Sequence, residues 1–140
     1  MDIDTKRQEN DAKKLLKSFF AARNKWDKKW CKFFDHFKGD YKAEQKHDAQ
    51  VREELRTIFQ QHCKSDTEAD DPLSYASPPT YDGYEFLQVS FPTKKKMVVV
   101  VRTGEFGVES SFELENTTKG LKIVSRRCKG LSGKMEKDYL

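Results

Sequence analysis

The chain has 140 residues, 36 % of them charged, with a net charge of +4. It is too short for two ordinary domains, yet long enough to bury a core without disulfide staples. The first fourteen residues are highly charged and offer no apolar stretch of an export signal. The longest apolar run, Met97 to Val101, is too short to cross a bilayer. Both features predict a soluble chain of the cytoplasm. Cys31, Cys63 and Cys128 are odd in number and widely spaced, so they read as core residues or bystander thiols and not as a redox or metal set.

A first helix is predicted over about Asp11 to Phe37. Leu15, Leu16, Phe19, Trp26, Trp30, Phe33, Phe34 and Phe37 recur at steps of three and four, with lysines on the other side as a solvated face. Asn10 or Asp11 is placed to cap its start, and Gly39 with Asp40 to stop it. A second helix fits Ala43 to Cys63, with Ala49, Val51, Leu55, Ile58, Phe59 and His62 inward. Ser65 to Gly83 is then rich in Asp, Ser and Pro; adjacent Pro78 and Pro79 forbid a helix there, although a short turn fits Leu73 to Tyr75.

The remainder reads as sheet. Tyr84 to Phe91 is a strand whose apolar parity shifts at Phe86 and Leu87, which predicts a bulge. Met97 to Thr103 is apolar at consecutive positions, as expected of a strand covered on both faces. Phe106 to Glu115 alternates, with Phe106, Val108, Ser110, Phe112 and Leu114 inward and Glu105, Glu109, Glu113 and Glu115 outward. Gly120 to Arg127 is the last strand, and the polar tail is predicted to fray. The expected organisation is one domain over 1–140: helices over about 11–63, a loop over 64–83, a β-meander over 84–128 and a tail over 129–140. The class is α+β.

This order of elements, closing on Gly120-Leu121-Lys122-Ile123-Val124-Ser125, resembles the nuclear transport factor 2-like fold and its frequent G-W-K-I closing strand. Leu121 stands where Trp is common. Phe19-Phe20-Ala21-Ala22-Arg23-Asn24-Lys25-Trp26-Asp27 is similar to the F-x-x-x-M-N-x-W-E opening of the bacterial immunity proteins of that fold. The resemblance implies a curved antiparallel sheet wrapped over N-terminal helices, a cone-shaped cavity, and binding of a cognate toxin. It also implies a third helix, which only Ser65 to Gly83 could supply.

Enzymes of that fold carry an inward acid or base, but the best-defined strand here offers only Ser110. His36 and His62 lie near apolar helix faces, where structural histidines are the commoner case. There is no zinc spacing, phosphate loop or nucleophile elbow, so the chain reads as a binder with no cofactor, metal or membrane partner. Residues 65–91 hold six acids and no Lys or Arg. Asp66, Glu68, Asp70 and Asp71 beside Tyr75 and Tyr81 therefore suit a cationic protein cleft, and Glu105, Glu109 and Glu113 form a second acidic surface. Two alternatives stay open. One is a small-molecule binder or isomerase/cyclase-like enzyme using the cone. The other, nucleic-acid binding through Lys94-Lys95-Lys96 and Arg126-Arg127, ranks last because the aromatics fall at core spacing.

Overall fold

The computed structural model describes residues 3–33, 39–71, 79–104, 107–129 and 133–140. Helix α1 (Ile3–Cys31) begins two turns before the expected cap, and Asn10 and Asp11 lie inside it. Local chemistry accounts for the early start. The segment from Thr5 to Lys14 has no Gly or Pro, and Asp4–Arg7 (3.7 Å) and Glu9–Lys13 (3.6 Å) pair one turn apart. Each such pair contributes about 0.2–0.5 kcal/mol to an exposed helix. The expected continuation over Phe34, His36 and Phe37 falls outside the described residues.

Helix α1 buries two stripes. Phe19, Trp26 and Trp30 meet helix α2 (Tyr41–His62), whereas Phe20, Arg23 and Asp27 turn toward the sheet. The helices run antiparallel: Ser18 bonds to His62 at 2.9 Å, the Trp26 indole N–H donates to the Val51 carbonyl at 3.1 Å, and the Trp30 indole N–H donates to Glu54 at 2.5 Å. Each indole thus buries its ring and satisfies its donor. Asp40 caps α2 by accepting from the Ala43 N–H at 3.1 Å. Val51, Leu55, Phe59 and His62 form its buried stripe, and Ala49, expected inward, is exposed on the far side.

Cys63 leaves α2 alongside Ile123, and the Lys64 N–H donates to the Ile123 carbonyl at 2.8 Å, tying the helix end to the sheet. Where the resemblance implies a third helix, the described residues hold one 3₁₀ turn, Thr67–Asp70. The expected turn at Leu73 to Tyr75 lies outside the described residues.

Five antiparallel strands follow in meander order: β1 (Glu85–Ser90), β2 (Lys96–Thr103), β3 (Val108–Thr117), β4 (Gly120–Lys129) and β5 (Met135–Asp138). The expected bulge is present, with Phe86 paired to Val101 and Gln88 to Val100, so Leu87 is the extra residue. A second bulge leaves Val124 unpaired between Ile123 and Ser125. It reverses the parity of β4 and turns Arg126 inward. The tail does not fray: β5 pairs with Arg126 to Lys129, and Leu140 is buried. Strand β2 is covered on one face only, since Met97, Val99 and Val101 are buried while Val98 and Val100 are half-buried on the outer face. Val108, expected inward, is exposed because it opens β3 at the end of the sheet, beyond the core.

The core lies between α1 and the inner face. Phe20 is at its centre, stacked on Tyr81 at 4.5 Å between ring centroids and in contact with Tyr84 at 4.9 Å and Phe112 at 5.3 Å. Trp30→Ala should lower stability by about 3–5 kcal/mol in a urea titration, and Ala49→Ser should change it by less than about 0.5 kcal/mol. A loss under about 1 kcal/mol for Trp30→Ala would contradict the packing of α1 on α2.

Candidate functional site

Arg23 and Asp27 sit one helical turn apart on the sheet-facing stripe of α1, and both are buried. A carboxylate with no exposure must be paired and hydrogen-bonded. Asp27 meets both demands: one oxygen accepts from Arg23 Nη1 at 3.3 Å, and the other from the Thr80 N–H at 2.9 Å. Asn24 accepts from the next N–H, that of Tyr81, at 3.0 Å. The backbone of residues 80–81 is thereby pinned against α1, and the Tyr81 ring is driven into the core with no exposure.

Four side chains from separate parts of the chain converge on the last two residues. The Tyr81 hydroxyl donates to the Leu140 carbonyl oxygen at 2.8 Å, and Arg23 Nε donates to the same oxygen at 3.1 Å. Glu68 accepts from the Leu140 N–H at 2.8 Å. Arg126 donates to the Tyr139 carbonyl at 3.2 Å, lies 3.7 Å from Asp138, donates to Ser110 Oγ at 3.1 Å and covers the Tyr81 ring at 5.3 Å. A cavity of about 400 Å³ borders this network, lined by Arg23, Glu68, Arg126 and Leu140 among others.

Burial governs the protonation of the groups around this network. Burial pushes the Tyr81 phenol up to about 12 and the Cys63 thiol up to about 12, so both stay protonated near neutral pH. Burial also raises the Glu68 carboxyl above its usual range, against the opposing pull of the Leu140 N–H. His62 is held by Ser18 on one ring nitrogen and by the Ile58 carbonyl, 2.8 Å away, on the other. That is the bonding of a structural histidine. His36 lies outside the described residues. Among the described residues no group of three or more His, Cys, Asp or Glu could hold a metal ion, and no helix is long and apolar enough to cross a membrane.

The residues expected to meet a partner are dispersed. Asp70 is 2.6 Å from Arg56, which holds its carboxyl below the usual range and raises the guanidinium in turn. Asp66 accepts from Gln60 at 3.0 Å and lies 3.8 Å from Arg56. The carbonyl of Asp71 accepts from Arg52 at 2.7 Å, and Glu68 turns inward to Leu140. Tyr81 is a core ring and offers no surface to a partner, a correction that follows from its pinned backbone. Tyr75 and Glu105 lie outside the described residues. Glu109 and Glu113 do stand on the outer sheet face, 3.9 Å from Arg102 and Lys96 respectively. The proposed cationic pair Arg126-Arg127 is split by the β4 bulge, with Arg126 buried and Arg127 outward.

Sequence reading missed Arg23, Asp27 and Arg126. The first two were detectable as a second stripe with Phe20, at steps of three and four. Consecutive apolar Ile123 and Val124 were a signal for the bulge that turns Arg126 inward.

Asp27→Ala should cost about 3–5 kcal/mol in chemical unfolding, because it strands the buried Arg23 guanidinium. Glu68→Gln tests the opposite sign. A carboxyl whose folded pKa is raised favours the folded state below its unfolded pKa and loses that contribution as pH rises through the folded value. Glutamine keeps an acceptor for Leu140 without the desolvated charge. The variant should therefore be at least as stable as the parent at pH 7 and lose its relative advantage below about pH 4. A variant less stable at pH 7 would show that the charge itself holds the mouth.

The NTF2 fold immunity protein family model matches residues 11–123, which include the Asn24–Asp27 segment of α1, the whole meander through β3 and the first part of β4. No curated protein and no solved structure matches the chain. The two helices, the five-stranded antiparallel sheet and the extent of the match agree: the chain belongs to the family of NTF2 fold immunity proteins.

Proposed function

We propose that the protein neutralises a cognate bacterial toxin by binding it, without chemistry of its own, and that the outer face of the sheet is the binding surface. Membership of an immunity family supports the first part. The second rests on which acids are free to meet a cation. Asp66 and Asp70 share Arg56, and Glu68 is committed to Leu140. Among the described residues, the ion pairs of Glu109 and Glu113 are cross-strand contacts at 3.9 Å, of the exposed kind that contributes about 0–1 kcal/mol. Between them the outer face is weakly polar: Val98 pairs with Glu113, Val100 with Ser111, and Ser125 lies beyond Glu113 on β4. Half-buried Val98 and Val100, rimmed by Glu109 and Glu113 together with Lys96, Arg102 and Arg127, have the apolar centre and charged rim of a protein interface. The acids would draw a cationic toxin surface into register before the valines are covered. Asp66, Asp70 and Asp71 form a second acidic patch, which the same experiment ranks.

The chain, tagged and used as bait, should capture the product of the gene beside its own and protect cells that express that product. Glu109→Lys with Glu113→Lys should weaken the complex about tenfold or more, mainly through slower association, with the melting temperature unchanged. Joint replacement of Asp66, Asp70 and Asp71 by Asn should have a smaller effect. The reverse ranking would move the interface to the 66–71 turn, and failure to protect would remove the toxin reading.

A further inference from the structure

The contacts on residues 139–140 are of an unusual kind. They are made to main-chain groups, by side chains that come from α1, the 3₁₀ turn, the segment before β1 and β4. The Tyr139 carbonyl is read by Arg126, the Leu140 N–H by Glu68, and the Leu140 carbonyl by Arg23 and Tyr81. The Leu140 side chain is 3 % exposed, while Tyr139 projects outward at 66 %. Acceptor, donor and acceptor on the backbone are matched in order, with an enclosed slot for one aliphatic side chain. The strand that delivers this segment is four residues long, at the edge of the sheet, and pairs only with the end of β4.

Such a set reads an extended peptide and does not require covalent attachment. We propose that the mouth of the sheet is a peptide-recognition site for an extended segment bearing an aliphatic side chain, occupied in cis by residues 138–140. Arg23 and Arg126 are both 8 % exposed and bond to backbone oxygens, while Glu68 supplies the complementary acceptor. A cavity of about 400 Å³ borders the same segment. Attachment gives the cis segment an effective concentration of roughly millimolar. A peptide in trans therefore competes only when it binds more tightly or when the tail is withdrawn. The site is separate from the outer sheet face, so this inference stands or falls independently of the toxin interface.

The test uses the full chain, folded first, with a protease site placed between residues 129 and 133 and cut afterwards. A fluorescent peptide of sequence Glu-Lys-Asp-Tyr-Leu, matching residues 136–140, should exchange with the cut tail and give saturable anisotropy. It should bind the uncut chain at least tenfold more weakly, and the peptide ending in Ala should lose at least tenfold on the cut chain. The unmodified chain and Leu140→Ala provide a second arm, with the substituted chain binding the labelled peptide at least tenfold more tightly. A cut tail that leaves and is not recaptured, a tail that never exchanges, or equal binding to the unmodified and Leu140→Ala chains would each overturn the proposal.

Discussion

The buried carboxylate of Asp27 is the constraint on which the rest of the structure depends. A charge with no exposure cannot stand unpaired in a protein interior, so Arg23 must lie beside it and a backbone N–H must reach its other oxygen. That N–H belongs to Thr80, and Asn24 takes the next one, from Tyr81. The route into the sheet is therefore set by one turn of α1. Because Tyr81 is drawn inward there, Phe20 has a ring to stack on, and the Tyr81 hydroxyl is aimed at Leu140. The residues Asn24 and Asp27, which carry much of the resemblance to the immunity proteins, are thus the ones that fasten helix to sheet. Trp26, between them in sequence, fastens the same helix to α2.

Two bulges then decide which side chains of the sheet face the core. The one at Leu87 keeps Phe86 against the core, where it lies 6.5 Å from Phe20 between ring centroids. The one at Val124 sends Arg126 inward and Arg127 outward. Without the second, β4 would present Arg127 to the core, and the mouth would lose the guanidinium that covers Tyr81 and bonds to Ser110. The outer face is held by exposed ion pairs instead of a buried network. Glu115 there bonds to Lys64 at 2.9 Å, while Glu109 and Glu113 meet Arg102 and Lys96 at 3.9 Å, the margin of ion-pair distance.

The acidic 66–71 turn shows why composition is a poor guide to surface availability. Six acids without a basic residue in 65–91 describe a charge deficit along the chain. Folding brings Arg52 and Arg56 of α2 beside the turn and Leu140 beneath it, and three of its four carboxylates acquire partners. Local excess charge along a sequence is commonly balanced by a neighbouring element in space. On β3 the outcome differs from one glutamate to the next: Glu115 faces Lys96 and Lys122 and bonds to Lys64 at 2.9 Å, Glu109 faces Arg102, and Glu113 faces Val98 and Ser125.

The order of elements through β4, the class of fold, the two-helix packing through Trp26, Trp30 and Leu55, and the bulge at Leu87 were determined by the sequence alone. Each depends on short-range periodicity, which is written in consecutive residues. What tertiary structure decided is the fate of groups whose partners lie far along the chain. The early start of α1 is a local matter of helix propensity and ion pairs, missed because that stretch carries no apolar face. The partners of Arg23, Tyr81 and Arg126, and the docking of a polar tail as β5, depend on contacts spanning up to 117 residues, as between Arg23 and Leu140. A polar residue reads as solvent-facing until the atom that satisfies it is in place, and that atom is supplied only when the chain has folded.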